Sequence, residues 1–145
     1  MIQKAILLFR GKNQELIIQE VVQDMVHTCS NPNGLHVAKK LITLCLRPEY
    51  EKYQQPVITI LAAHCIELAQ NPYGNYGMQI VLDSYPAENC VQIIESIKGK
   101  IANLSITKYS SNVVERCLEK ASPELRIELI TELIQASNFI GIVRG

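Results

Sequence analysis

The chain has 145 residues, is 48% hydrophobic and 19% charged, and so has the composition of one folded domain rather than of a disordered segment. Its Lys and Arg residues equal its Asp and Glu residues, and zero net charge argues against a protein that binds polyanions through bulk charge alone. The longest apolar run, PVITILAAHCIELA, contains His64 and Glu67 and is too short to cross a bilayer, so we expect no membrane partner.

An internal repeat organises the chain from its first residues. Gln3, Lys39, Gln79 and Glu115 hold corresponding places, at intervals of 36, 40 and 36 residues. The longer interval contains the polar segment RPEYEKYQQP, where a loop accommodates four extra residues at little cost. A period of this length without strand-like alternation indicates an α-solenoid. The predicted divisions are residues 1–23 (the tail of a repeat), 24–63 (a degenerate repeat), 64–99 and 100–136 (two repeats), and 137–145 (the start of a truncated repeat).

Helix-start and helix-stop signals support this division. NQELIIQEVVQDMV is predicted to begin at Asn13, and AENCVQIIESIKG is predicted to end before Gly99. SPELRIELITELI is predicted to begin at Ser122 as N-cap, with Pro123 in its first turn. Its apolar stripe comprises Leu125, Leu129, Ile130, Leu133 and Ile134. Each repeat thus holds a short first helix, a middle helix and a third helix.

Residues that could perform catalysis or bind a metal lack the necessary spacing. The five cysteines form no C-x-x-C pair, and we expect reduced, mostly buried thiols. None of the three histidines lies in an H-E-x-x-H pattern, and the chain has no glycine-rich phosphate loop. The sequence therefore predicts a protein that is not an enzyme, with no cofactor and no metal site.

A triplet of polar or planar residues stands out in the middle helix GNYGMQIVL. Asn75 and Gln79 are one helical turn apart and are expected to point the same way, with Tyr76 beside them. An amide both donates and accepts hydrogen bonds, which suits the edge of a flat heterocycle, and a tyrosine ring can stack on its face. Uracil, with one N–H between two carbonyls, fits such a pair of amides.

A second triplet occupies the same positions in SSNVVERCL. Ser111, Asn112 and Glu115 lie 36 residues after the members of the first triplet. An ionised carboxylate only accepts hydrogen bonds, so Glu115 suits a base edge that presents N–H donors. Guanine presents two such groups, N1–H and the N2 amino group. The alternative for both triplets is an ordinary solvated helix face.

These blocks resemble the Pumilio (PUF) RNA-binding repeat over essentially the whole chain. The resemblance rests on two pentapeptides in register, Asn-Tyr-x-x-Gln and Ser-Asn-x-x-Glu, each after an N-P-x-G or K-Y-S lead. It implies a right-handed α-solenoid of three-helix repeats in which middle-helix side chains read one RNA base per repeat. In that family the first combination reads uracil and the second reads guanine. Since the family binds RNA antiparallel to the protein chain, the expected readout is 5′-GU-3′ within a UGU-type element.

The resemblance also implies a biological setting. Such proteins bind single-stranded messenger RNA in the 3′ UTR and repress or destabilise it in the cytoplasm. Repressor or deadenylase proteins are the partners expected on the convex face. The truncated ends predict exposed apolar surface and weak self-association, because a terminal repeat normally needs a polar cap.

The chain departs from the family pattern at two reading positions. The repeat at 24–63 carries Leu35, His36 and Lys39. Leucine cannot bond a base edge, whereas His36 can stack and Lys39 can meet a carbonyl or phosphate, so the base that this repeat reads stays open. Gln3 fits an edge-reading position, but its two triplet partners are absent.

A second class of function fits part of the same sequence. A protein-interaction solenoid of the armadillo or HEAT kind, or a Pumilio-like protein without base-specific reading, would also show helical repeats. Zero net charge and Lys39 favour this alternative, and the two intact triplets oppose it.

Overall fold

The computed structural model describes residues 12–139, with side chains for residues 15–136, and every regular element in that range is helical. None of these helices is long and apolar enough to cross a bilayer. Gln3 and residues 140–145 lie outside the described range. The ten described α-helices and one 3₁₀ helix are α1 (Lys12–Gln23), α2 (Met25–Cys29), α3 (Pro32–Leu44), the 3₁₀ helix (Pro48–Tyr53), α4 (Gln54–Ala63), α5 (Cys65–Ala69), α6 (Gly74–Ser84), α7 (Ala87–Ser96), α8 (Ile101–Ser105), α9 (Ser110–Lys120) and α10 (Pro123–Phe139).

The helices recur in sets of three. A short helix (α2, α5, α8) precedes a middle helix (α3, α6, α9), and a third helix (α4, α7, α10) follows. Middle helix α6 contacts α3 on one side and α9 on the other, while α4 contacts α1 and α7. The middle helices therefore form one layer and the third helices another. The predicted all-α, right-handed solenoid of three-helix repeats is confirmed.

Apolar side chains at corresponding positions fill the space between the layers. Met78 and Val81 of α6 are buried, as are Val114 and Cys117 at the same places in α9. The third helices contribute residues such as Ile94, which is 1% exposed. Because one repeat cannot cover both of its own sides, the core runs without interruption from repeat to repeat.

Buried polar side chains connect one repeat to the next. The Tyr85 hydroxyl donates to the carbonyl of Ile42 at 3.1 Å. Gln54 donates to the carbonyl of Cys45 at 2.8 Å, and its own oxygen accepts from the Asn89 amide at 2.9 Å. Leaving a buried polar group unpaired is costly, so the bonds of Tyr85 and Asn89 help to fix the 64–99 repeat against the 24–63 repeat.

The four extra residues of the 24–63 repeat lie before α4, where the chain forms the 3₁₀ helix. Lys52 of this helix pairs with Glu15 of α1 at 2.6 Å, and the Tyr53 hydroxyl donates to the same carboxylate at 3.3 Å. The hydrogen bond from Lys52 lowers the pKa of Glu15. The insertion therefore packs on the preceding third helix and leaves the row of middle helices unbroken.

The predicted helix ends agree with the structure at two sites. The Ser122 hydroxyl accepts from the backbone N–H of Leu125 at 3.2 Å, which confirms this residue as the N-cap of α10. Gly99 follows α7 with a φ of +84°, a conformation that favours glycine. The Glu132 carboxylate reaches back from α10 and accepts from the N–H groups of Gly99 (2.8 Å) and Ile101 (3.3 Å), so α10 also caps α8.

Helix α10 buries only part of its predicted apolar stripe. Leu125 and Leu129 are buried, whereas Ile130 is 39% exposed and Ile134 is 55% exposed. Ile94, which corresponds to Ile130 in the preceding repeat, is 1% exposed. No described helix packs on the outer side of α10. Ile130 and Ile134 of α10 are therefore in contact with solvent, whereas Ile94 of α7 is covered.

Candidate nucleic-acid interface

The two triplet-bearing helices begin where the chain approaches the preceding short helix closely. A Cβ atom on Gly74 would lie 2.8 Å from the carbonyl oxygen of Leu68, so the tight approach requires glycine. Ser110 holds the corresponding place in α9, and its hydroxyl donates to the carbonyl of Leu104 at 2.7 Å. Helix α6 leaves room for the Leu68 carbonyl through its glycine, whereas α9 donates a hydrogen bond to the Leu104 carbonyl through its serine. Both begin at the same point of their repeat, so the triplets that follow are in register.

The first triplet divides into an exposed ring and a buried amide. Tyr76 is 53% exposed, Gln79 is half-buried, and Asn75 is 1% exposed. The Asn75 amide nitrogen donates to the carbonyls of Asn71 at 2.8 Å and Pro72 at 3.0 Å. Its oxygen accepts from the Gln79 amide nitrogen at 2.9 Å. Asn75 and Gln79 are therefore close together, but only Tyr76 and part of Gln79 are accessible.

The second triplet is more open. Asn112 and Glu115 are exposed, and Ser111 is half-buried. The Ser111 hydroxyl donates to the carbonyl of Lys108 at 3.2 Å rather than to Glu115. The carboxylate of this triplet therefore faces solvent without a partner from its own triplet.

Both triplets lie on the same side of the solenoid. Helices α6 and α9 are in contact, and corresponding residues of the two helices are buried, as Met78 and Val114 show. Residues 36 apart hold equivalent positions on the two helices. Because the two helices bury the same face, their exposed residues at equivalent positions point in the same direction. We call the surface formed by Tyr76, Gln79, Asn112 and Glu115 the triplet face.

An ion-pair network that the sequence did not predict joins the two helices beside this face. Arg116 of α9 pairs with Asp83 of α6 at 3.0 Å, and its guanidinium also lies 3.6 Å from the Glu115 carboxylate. The signal was present in the sequence, since Arg116 directly follows a triplet. The sequence alone does not show that Asp83 is its partner, because the two residues lie on different helices.

The third candidate site, on α3, differs from the other two. His36 and Lys39 are exposed, whereas Leu35 is half-buried. A Leu35 methyl lies 4.0 Å from the point where Gly77 of α6 would carry a Cβ, so Leu35 packs toward the neighbouring helix. Stacking by His36 and the contact of Lys39 with a carbonyl or phosphate stay predictions. Gln3 lies outside the described residues.

The five cysteines are free and buried. Burial raises the pKa of Cys29 and Cys65 to about 12, and that of Cys45 and Cys90 to about 11. Such thiols stay protonated at neutral pH, which makes them poor nucleophiles and poor metal ligands. The described residues contain no group of three or more His, Cys, Asp or Glu arranged to hold a metal ion. The cysteines therefore act as core residues.

A family model identifies the two triplet-bearing segments. The model of the Pumilio-family RNA binding repeat matches residues 64–98 and 100–134. The chain contains Pumilio-family repeats. This family consists of RNA-binding repeats and not of enzymes, which confirms the prediction for the repeats of this chain.

Curated Pumilio proteins align with nearly the whole chain. The putative pumilio homolog 8, chloroplastic, of Arabidopsis thaliana is 30% identical over 138 residues, which are 95% of this chain and 26% of the relative. The Pumilio domain-containing protein C6G9.14 of Schizosaccharomyces pombe is 25% identical over 143 residues, 99% of this chain and 20% of its own length. The chain therefore spans about a quarter or less of these two relatives.

Solved Pumilio structures share the fold. The Puf4 RNA-binding domain bound to an HO endonuclease RNA 3′ UTR sequence superposes with a TM-score of 0.80 at 22% identity, covering 96% of this chain and 42% of that chain. PUF-8 in complex with PBE-RNA gives 0.78 at 20% identity, with 96% and 39% coverage. These matches support the solenoid architecture of the residues that the structure describes.

Proposed function

We propose that this Pumilio-repeat chain binds single-stranded RNA and reads 5′-GU-3′ within a UGU-type element of a messenger RNA 3′ UTR. The observation that carries the proposal is the triplet face. Two flat side chains, Tyr76 and Asn112, are exposed at corresponding places on adjacent helices, each one turn from an edge-reading group. Solvation of a helix surface does not by itself require a flat side chain and a hydrogen-bonding group at positions 36 residues apart.

The chemistry of the two edge groups differs, and each matches one base. The exposed Glu115 carboxylate can accept the N1–H and N2–H bonds of guanine. The Gln79 amide can accept the N3–H of uracil and donate to a neighbouring carbonyl. By analogy with paired base contacts, each is worth about 1–3 kcal/mol of discrimination. Stacking on Tyr76 adds about 1–3 kcal/mol that depends little on the base.

The order of the two bases comes from the family's antiparallel binding of RNA. The later repeat, with Glu115, then takes the 5′ base, and the repeat with Gln79 takes the base that follows. Puf4 and PUF-8, whose structures contain RNA, support RNA binding by this fold, while the base order rests on the family resemblance alone. His36 and Lys39 are proposed to contact a poorly specified third base, and Gln3 a fourth.

The wider biological role is also a proposal. The family resemblance supports repression of messenger RNA in the cytoplasm, with repressor or deadenylase proteins bound to the convex face. The exposed Ile130 and Ile134 support weak self-association through the outer face of α10. Light scattering at increasing protein concentration tests this association, and a strict monomer at high concentration would count against it.

Titration with short labelled RNA tests the proposed function. The probe contains one UGU element, and the matched control RNA has adenines in place of its guanine and second uracil. We expect weak binding, because contacts to two or three bases at a chain of zero net charge must first offset the ordering of the RNA. Fluorescence anisotropy at high protein concentration should show preference for the UGU probe.

The alternative is a Pumilio-like solenoid that binds proteins without reading bases. The half-buried Leu35, which cannot bond a base edge, favours this alternative for the 24–63 repeat only. Equal affinity for both RNAs, or none for either, would support this alternative and reject base-specific reading.

A further inference from the structure

The two junctions between the described repeats differ in their layer of third helices. We call the contact of the 24–63 repeat with the 64–99 repeat the first junction, and that of the 64–99 repeat with the 100–136 repeat the second junction. At the first junction the third helices α4 and α7 pack extensively against each other. At the second junction α10 contacts α8 of its own repeat more than it contacts α7. The second junction is therefore less well packed in this layer, although α6 and α9 are in contact in the layer of middle helices.

Neutral side chains connect the third helices across the first junction. The carboxamide oxygen of Gln92 accepts from the Gln55 amide at 2.8 Å and from the Thr59 hydroxyl at 3.0 Å. The Asn89 amide donates to Gln54 at 2.9 Å. Salt has little effect on hydrogen bonds between uncharged groups, because screening acts on the interaction of charges. The first junction is therefore held by packing and by bonds that depend little on ionic strength.

Charged side chains make the bonds across the second junction. Lys98, just after α7, pairs with Glu128 of α10 at 2.8 Å. Asp83 of α6 pairs with Arg116 of α9 at 3.0 Å, and the Glu132 carboxylate bonds the turn that follows α7. All four side chains of the two ion pairs are partly exposed, and exposed ion pairs weaken as salt rises. The bonds that hold this junction are therefore sensitive to ionic strength.

This contrast points to a place where the solenoid bends. We infer that the second junction is a salt-responsive hinge, at which the 100–136 repeat moves away from the 64–99 repeat as ionic strength rises, while the first junction stays closed. The apolar contact between α6 and α9 forms the axis of this motion, and the space between α7 and α10 opens. The two triplets lie on opposite sides of the hinge, so the angle between them depends on it. The inference is independent of RNA binding.

Two buried cysteines report on the two junctions separately. Cys117 of α9 lies at the second junction, where burial and then the nearby thiols of Cys65 and Cys90 raise its pKa. Cys29 of α2 lies at the first junction, with its sulfur against Gly77 of α6. Cys117 and Cys29 are both fully buried. A thiol reagent therefore reaches each of them only when its own junction, or the whole fold, opens.

Labelling of the unmodified chain with iodoacetamide tests the hinge. The reaction is run in about 0.01 M and about 1 M potassium chloride, between which the Debye length falls about tenfold. Mass spectrometry follows each cysteine, and each rate is divided by that of the same thiol in the urea-unfolded chain at the same salt. The ratio of the Cys117 rate to the Cys29 rate then measures opening of the second junction alone. We expect this ratio to rise in high salt by about twofold to fivefold for each ion pair that is screened.

Glu128→Gln tests the ion pair between Lys98 and α10 directly. It removes the charge and leaves a hydrogen-bond acceptor of similar shape. The ratio at low salt should rise toward its high-salt value, and its dependence on salt should become smaller. Glu119→Gln removes the same charge from an exposed position of the 100–136 repeat outside both pairs, and should leave the ratio and its salt dependence unchanged.

The hinge is overturned by a labelling ratio that is equal in the two salts, or by a Cys117 that stays unlabelled in high salt. Equal acceleration at Cys117 and Cys29 would mean that salt opens the whole fold, and acceleration at Cys29 alone would place the weak junction elsewhere. A Glu128→Gln chain that behaves like the unmodified chain would show that this ion pair does not hold the junction. None of these outcomes affects the proposed RNA binding, which the RNA titration tests separately.

Discussion

Helices α6 and α9 have the same place in the fold but hold Gln79 and Glu115, the side chains proposed to contact base edges, in different ways. Gln79 is half-buried and fixed by a neutral amide of its own helix. Glu115 is exposed and lies beside Arg116, whose main partner is Asp83 on the other helix. The amide of Gln79 has two chemically different ends and is held by a neighbouring side chain, whereas the two oxygens of Glu115 are equivalent acceptors.

The cores beneath the two helices differ in a complementary way. Gly77 of α6 lies so close to Cys29 that an added Cβ would be 2.9 Å from its sulfur. The corresponding residues one repeat later are Val113 and Ala69, both fully buried. The larger residue is on α2 in one pair and on α9 in the other. The position that leaves room for its partner therefore differs between these two repeat junctions.

The largest expected effect comes from making α9 carry the triplet of α6. The change Ser111→Asn, Asn112→Tyr and Glu115→Gln replaces a carboxylate acceptor with an amide that fits uracil. The chain should lose about 1–3 kcal/mol of preference for guanine and gain about 1–3 kcal/mol for uracil at that base. Competition between GU and UU RNAs, followed by anisotropy, measures this reversal.

Glu119→Gln is the matched control for this swap. It removes one negative charge from an exposed position of the same helix, outside the triplet. It should leave the preference for guanine unchanged. A triple variant that still prefers guanine would mean that the triplet of α9 does not determine the base.

The next effect concerns the cores. Gly77→Val gives α6 the residue found in α9 and places methyl groups against Cys29. Overpacking of this kind costs about 1–3 kcal/mol, more than valine gains over glycine in helix propensity. Adding Cys29→Ala reproduces the Ala69 and Val113 combination and should restore most of the free energy of unfolding. Urea denaturation followed by circular dichroism measures both, and a double variant no more stable than Gly77→Val would refute complementary packing.

Periodicity alone predicted the solenoid, because a spacing of 36 residues and apolar positions at helical intervals allow few other folds. It also placed Tyr76 and Glu115 on helix surfaces, where the structure finds them exposed. It did not reveal that Asn75 turns inward, since the same side chain can meet solvent or bond backbone carbonyls. Nor did it reveal the exposure of Ile130, which depends on a neighbouring repeat rather than on α10 itself.

A pH dependence should distinguish the two helices further. Cys117 of α9 corresponds to Val81 of α6, and burial raises the pKa of its thiol. The folded thiol keeps its proton at a pH where the unfolded thiol loses it, so its contribution to stability is complete below about pH 8.5–9 and declines above. The free energy of unfolding should fall between pH 7 and pH 10 in both proteins. The fall should be about 1–2 kcal/mol smaller in Cys117→Val than in the unmodified chain. Urea unfolding at both pH values measures this, and equal losses would show that Cys117 ionises normally in the fold.

The smallest expected effect tests the ion pair between the helices. Asp83→Asn removes the partner of Arg116, and because both side chains are partly exposed the loss of stability should be about 0.2–1 kcal/mol, absent in 1 M salt. Arg116 is then free to pair more closely with Glu115, which competes with the N–H groups of guanine. Preference for guanine should therefore fall by less than about fivefold, while the preference for uracil at Gln79 stays constant. A rise in guanine preference, or a change at uracil alone, would show that Asp83 does not hold Arg116 away from the Glu115 carboxylate.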